Sequence, residues 1–171
     1  MAKRVAKFEK VSYKQFYEDV KNTFKEVTDT EIVAMYSDIK LPKRATAGSA
    51  GYDFFSPLYF MLGPGQTIKI PTGIRCKIED NWVLKCYPRS GLGFKYRLQL
   101  DNTVGIIDSD YYYSSNEGHI FAKITNDTNE ERVVNIKKNT GFIQGIFLEY
   151  GITYDDEVEE IRDGGFGSTT K

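Results

Sequence analysis

The sequence predicts an all-β fold, and three observations carry that expectation. Short runs of alternating apolar and polar residues recur along most of the 171-residue chain. Clusters of Gly, Pro, Asn and Asp separate these runs at fairly even spacing. A helical period appears in one stretch only, near the N-terminus. Many short, evenly spaced strands build a sandwich, a jelly roll or a barrel. A chain of this length makes about one domain, 1–171, with a core of its own.

The helical stretch is 12–24. Tyr13, Phe16, Tyr17, Val20 and Phe24 recur at spacings of three and four and so share one face. Ser12 followed by Gln15 has the form of a capping box. The pattern favours a helix packed on its own domain, with a partner-binding helix as the alternative. Thr67–Ile70 and Ile74–Ile78 alternate as half-buried strands do, and 82–87, 119–124, 132–136 and 142–148 are further strand-like runs. Turns are expected at Gly63-Pro64-Gly65, Glu79-Asp80-Asn81, 126–129 and 138–141. No linker or internal repeat divides the chain. The end, 162–171, is glycine-rich and polar, as expected of a flexible arm.

Composition excludes several classes of function. Lys plus Arg total 23 and Asp plus Glu 24, a net charge of -1, which argues against coating a nucleic-acid backbone by bulk charge. His119 is the single histidine and Cys76 and Cys86 the two cysteines, too few for a multi-histidine metal centre or a CxxC zinc site. No window approaches the ~20 apolar residues of a membrane span, and Met1–Lys10 has no apolar leader. A soluble cytoplasmic protein is expected. The cysteines lie in apolar runs and read as buried free thiols; a disulfide stays open.

Five short segments carry possible chemistry. Gly48-Ser49-Ala50-Gly51-Tyr52-Asp53 sets an acid among small residues. Pro88-Arg89-Ser90-Gly91-Leu92 sets a guanidinium, a hydroxyl and backbone N–H groups side by side, the donors a phosphate chain needs. Gly105-Ile106-Ile107-Asp108-Ser109-Asp110-Tyr111 places a carboxylate beside an apolar run, where an acid can be poised as a base. Ile143-Gln144 is a lone amide in an apolar strand. Arg162-Asp163-Gly164-Gly165-Phe166-Gly167-Ser168-Thr169 combines an arginine, an aromatic and two hydroxyls. Singly, each is weak, and the last lacks the lysine and following helix of a Walker loop.

Together and in this order, the five segments resemble the homotrimeric dUTPases from about Ile39 to the C-terminus. Asn116-Glu117-Gly118-His119-Ile120, after a Tyr-rich stretch, is similar to a variant of Gram-positive bacteria and their phages. The resemblance implies a jelly-roll β-barrel, here with one extra N-terminal helix, assembled as a homotrimer with shared sites. It implies Mg²⁺-dependent hydrolysis of dUTP to dUMP and pyrophosphate, which keeps uracil out of DNA and supplies dUMP for dTMP synthesis.

The resemblance also implies roles. Asp108 would activate the attacking water. Arg89, Ser90 and Gly91 would bind phosphates, and Asp53 and Gln144 would support the metal and water without a direct metal ligand from the protein. Tyr111 would pack under the deoxyribose. Uracil would be read by the backbone of a hairpin, Asn102 to Ile107 and His119 to Ala122, which brings in Asn102, Gly105, Ile107 and Phe121. Phe166 would stack on the base, while Arg162, Gly167, Ser168 and Thr169 close over the phosphates.

Three features depart from the family pattern. The 112–117 segment is longer than usual. Gly141 stands where an arginine is common, so that its structural or phosphate-side contact is either missing or supplied by Lys137 or Lys138. Arg162 lies four rather than five residues before Phe166. His119 is expected to be a strand residue rather than an acid or a ligand. Two alternatives remain: a dCTP deaminase of the same fold, for which Glu117 is the obvious extra acid, and a dUTPase that also binds a regulatory protein through 12–24 or 112–117.

Overall fold

The computed structural model describes residues 3–160. Twelve strands form among them: β1 Ala6–Lys10, β2 Lys43–Arg44, β3 Tyr52–Phe55, β4 Phe60–Leu62, β5 Thr67–Pro71, β6 Ile74–Ile78, β7 Trp82–Pro88, β8 Leu98–Leu100, β9 Gly105–Ile107, β10 Phe121–Asn126, β11 Val134–Ile136 and β12 Gly141–Glu149. The largest sheet has the order β2-β3-β12-β7-β9, and a second runs β5-β10-β8. β1 pairs with β6, and β4 with β11. Every pairing is antiparallel.

Alternation decides which face of each strand is buried. In β6, Ile74, Cys76 and Ile78 point inward and Arg75 and Lys77 outward. Ile70, Ala122 and Ile124 join them from β5 and β10, and Phe54, Leu84 and Phe142 from the large sheet. Cys76 and Cys86 are free and buried in this core. Burial pushes the Cys86 thiol up to about 12 and raises that of Cys76 as well.

The N-terminal region holds two helices where one was expected: α1 Tyr13–Thr23 and α2 Asp29–Ser37. Phe16 and Val20 of α1 meet Ile32 and Met35 of α2 in a second apolar cluster. Ile39 and Leu58 border both clusters and join them. Burying a ring such as Phe16 contributes about 2–3 kcal/mol. α2 starts at a full capping box, in which Thr28 Oγ1 accepts from Glu31 N–H and Glu31 accepts from Thr28 N–H.

The box expected at Ser12 is only half present. Ser12 Oγ accepts from Gln15 N–H at 3.1 Å, but the Gln15 side chain turns to Asp19. The return bond comes instead from Glu117, whose carboxylate accepts from Ser12 N–H at 2.7 Å and Ser12 Oγ at 2.6 Å. The partner is 105 residues away in sequence.

Three further expectations are corrected. A third helix, α3 Ser90–Tyr96, forms although the sequence predicts a helical period only near the N-terminus. His119 precedes β10 rather than lying in it, and its ring is fully buried. The hairpin of 102–107 with 119–122 does not form: β9 pairs with β7, whereas β10 pairs with β5 and β8. Gly105 permits the β9–β7 contact, because a Cβ there would lie 3.1 Å from Cys86 Cβ.

Two measurements check this packing. Burial pushes Glu117 up, but its bonds from Ser12 and the nearby Arg75 guanidinium outweigh that and hold the carboxyl below its usual range. Its stabilising effect is therefore complete above the unfolded glutamate value and is lost as pH falls through the lower folded value. Denaturant midpoints should drop in that acid window, and Glu117→Gln should flatten the dependence. The two thiols should resist a disulfide reagent at pH 8 in the native protein and react on unfolding.

Candidate active site

The residues of the first, second and fourth segments converge at one end of the large sheet. β3 and β12 bring Asp53 opposite Gln144, and β12 and β7 bring Gln144 opposite Tyr87. Asp53 Oδ1 lies 3.1 Å from Arg89 Nε, an ion pair in which the acid is 18% exposed and the guanidinium 42%. Arg89 also donates through Nη1 to the Gly141 carbonyl at 3.3 Å. Gln144 Nε2 donates to the Pro88 carbonyl at 3.2 Å, which leaves its amide oxygen turned toward Gly51. A Cβ at Gly51 would lie 2.8 Å from that oxygen.

Arg89 is the N-cap of α3, and Ser90 and Gly91 are its first two residues. Leu92 and Gly93 N–H both donate to the Arg89 carbonyl at 3.0 Å. The first N–H groups of a helix have no intrahelical acceptor, so this turn offers donors to an anion beside a fixed cation. Arg89, Ser90 and Gln144 line an open cleft of about 560 Å³ together with Tyr87, Pro88 and Phe94. Phe94 was not picked out from the sequence. Its ring is 92% exposed on a short helix, and the only signal was an aromatic in a small-residue segment.

Gly141 now has a reason. A Cβ at that position would lie 3.1 Å from Arg89 Nη1 and 3.4 Å from Asp53 Cβ, so a side chain there would crowd the ion pair. Lys138 does not stand in for the arginine, because its ammonium binds Asp38 at 2.7 Å and the Ala34 carbonyl at the end of α2.

Asp108 lies elsewhere. It follows β9, one residue beyond the Leu84–Ile107 pair, and so sits level with the start of β7. Arg89 follows the other end of β7. At ~3.3 Å per residue, six residues of strand place the two on the order of 20 Å apart within one chain. Asp108 is half-buried, and its carbonyl accepts from Tyr111 N–H at 3.3 Å. The next residues, Ser109 and Asp110, line a different cleft with Arg4, Lys7, Lys77 and Tyr113.

The rest of this second group is compact. Tyr111 is 4% exposed, and its hydroxyl donates to the His119 carbonyl at 2.7 Å. Phe121 packs on His119 with ring centroids 4.6 Å apart, and Lys69 covers its ring. Ile107 is buried, Gly105 half-buried and Asn102 exposed in the turn before β9. Glu117 is held by Ser12 and faces Arg75 at 3.8 Å, so it is engaged in structure rather than presented in a pocket. Arg162, Phe166, Gly167, Ser168 and Thr169 lie outside the described residues.

No group of three or more His, Cys, Asp or Glu suited to a metal ion occurs among the described residues. No helix among them is long and apolar enough to cross a membrane.

Known proteins share both the sequence and this architecture. The dUTPase family model matches residues 37–170. The deoxyuridine 5'-triphosphate nucleotidohydrolase of Lactococcus lactis subsp. lactis is 42% identical over 144 residues, 81% of this chain and 95% of that protein. The crystal structure of dUTPase from Streptococcus mutans shares 31% identity with a TM-score of 0.62, covering 85% of this chain and 97% of that one. The dUTPase of phage phi11 of S. aureus, at 22% identity and a TM-score of 0.58, covers 75% and 94% and shares the fold. The jelly roll is thus the dUTPase fold, and α1 with nearly all of α2 precedes the matched region. On the breadth of that match, this chain belongs to the dUTPase family.

Proposed function

We infer that this chain is a dUTP diphosphatase, which hydrolyses dUTP to dUMP and pyrophosphate. The observation that carries the reading is the cradle at the end of β7, where Asp53, Arg89, Ser90 and Gln144 meet in a chain that matches the family over 37–170. A triphosphate needs that combination of a fixed fork of cationic donors, a hydroxyl and backbone N–H groups.

The residues divide the work by position. Arg89, Ser90 and the Gly91 N–H hold the phosphates. Ser90 favours the charge that grows on the bridging oxygen as pyrophosphate leaves. Asp108 orients the water that attacks the α-phosphorus and takes its proton. Tyr111 sets the floor under the deoxyribose, and the backbone of 102–107 reads the uracil edge. Arg162, Phe166, Gly167, Ser168 and Thr169 close the site.

The cradle suits Mg²⁺. Asp53 and Gln144 present hard oxygens on adjacent strands, and the missing Cβ of Gly51 leaves room beside the Gln144 oxygen. Bound on the triphosphate, the ion supplies positive charge to the phosphate oxygens. Asp53 and Gln144 are the residues that would hold it, through water rather than directly.

The separation of roughly 20 Å between Arg89 and Asp108 supports shared sites, because phosphate binding and water activation must meet within a few ångströms at one phosphorus. We therefore assign a homotrimer in which Asp108 of one copy faces the Arg89 cradle of another. Residues 1–171 act as one cytoplasmic dUTPase-like unit, with 12–24 as an N-terminal addition.

A dCTP deaminase is disfavoured by Glu117, since this obvious extra acid for attack at C4 is bound to Ser12 and lies near Arg75. Pyrophosphate release should be fast with dUTP and Mg²⁺ and slow with UTP and dTTP. Asp108→Asn should lower kcat about a hundredfold to ten-thousandfold. Full activity in that variant, or ammonia release from dCTP at the rate of dUTP turnover, would refute the assignment.

A further inference from the structure

The helix α1 precedes the region that matches the family, yet it is fastened to the segment that follows Asp108. Two carboxylates make the joint in opposite directions. Glu117 reaches from that segment to the N-cap of α1. Asp19 reaches from α1 to His119, with Oδ2 2.5 Å from Nδ1. The imidazole is fully buried between α1 and β10, against Phe16 and Phe121.

The proton on that ring is placed by its neighbours. The Gly73 N–H lies 2.7 Å from Nε2 and can only donate, so Nε2 is the acceptor. The neutral ring then carries its hydrogen on Nδ1 and donates it to Asp19. Gln15 Nε2, donating to the same Asp19 oxygen at 2.9 Å, fixes the carboxylate on the helix.

From His119 the chain of contacts leads to the sugar side of the site. The His119 carbonyl accepts the Tyr111 hydroxyl at 2.7 Å, and Asn116 Nδ2 donates to that hydroxyl at 2.9 Å. Tyr111 N–H in turn donates to the Asp108 carbonyl. The loop between them packs closely on itself: a Cβ on Gly118, at φ +68°, would fall 2.7 Å from the Tyr111 carbonyl oxygen. The Tyr111 hydroxyl is therefore tied to the place where His119 is held.

We propose that Asp19 of α1 is a positioning residue for sugar selection: by accepting from His119 Nδ1–H it holds the His119 carbonyl that orients Tyr111. The proposal rests on the assignment of Tyr111 to the deoxyribose. The N-terminal helix pair then tunes the site rather than merely covering the barrel.

The test compares kcat/KM for dUTP with kcat/KM for UTP in the full chain with Mg²⁺. Loss of folded protein lowers both equally and leaves their ratio unchanged, whereas a displaced Tyr111 lowers the ratio. Asp19→Ala should reduce the dUTP-over-UTP ratio about tenfold, since the removed hydrogen bond to a buried group is worth about that factor. Asp19→Asn, which retains an acceptor oxygen, should keep it near the wild-type value. An unchanged ratio in Asp19→Ala overturns the proposal, and so does an equal fall in Asp19→Asn. If Asp19→Ala does not fold, Asp19→Glu moves the acceptor by one methylene, and an unchanged ratio there overturns it too. Absence of dUTP-over-UTP preference in the wild type would instead remove the assignment of Tyr111.

Discussion

The central constraint is the antiparallel embedding of β7 between β12 and β9. All seven of its residues pair with β12, and the middle three, Leu84 to Cys86, pair with β9 on the other side. That single arrangement puts the anion-binding turn at one end of the strand and the acid of the third segment at the other. Because a strand cannot be shortened without losing its ladder, one chain cannot bring the two together. On the proposed roles of Asp108 and Arg89, assembly is a requirement of the chemistry rather than an addition to it.

The two halves of the site are held by different means. At the proposed phosphate end, β3, β12 and β7 align Asp53, Gln144 and Arg89 by register, and glycines at 51 and 141 keep the space around them clear. Around Tyr111, the proposed sugar end, no such sheet register exists. There the segment from Tyr111 to His119 is pinned by side chains: Tyr112 to Glu9, Glu117 to Ser12, and His119 to Asp19. Two of those partners lie on β1 and α1, before the region shared with the family. The 112–117 segment and the N-terminal addition thus form one structural unit, each filling the hydrogen bonds of the other.

What the sequence made legible follows the range of the interactions. Ile74–Ile78 was found to the residue, and β7 and β12 to within one or two, because alternation is a local signal. The helix at Ser12 was found from its face and cap. β1 was missed because its residues stay partly exposed at a sheet edge, so the pattern in Ala6–Lys10 is weak. α2 was missed although Thr28 and Glu31 carried its box, and α3 because Gly91 and Gly93 oppose helix propensity. The pairing of β9 with β7, the bond from Glu117 to Ser12 and the bond from His119 to Asp19 join residues far apart in sequence. No periodicity reports such contacts. The site residues themselves were legible through family resemblance, not through spacing.

The claim that one site draws on two chains can be measured by complementation. Asp108→Asn and Arg89→Ala are each expected to be inactive alone. Refolded together in equal amounts, random trimers would give roughly a quarter of the sites an intact Asp108 from one chain and an intact Arg89 from another. The account predicts recovery of dUTP hydrolysis to about that fraction of wild type. No recovery, in mixtures shown to contain both chains in one assembly, would mean that each chain builds its site alone and would contradict the account.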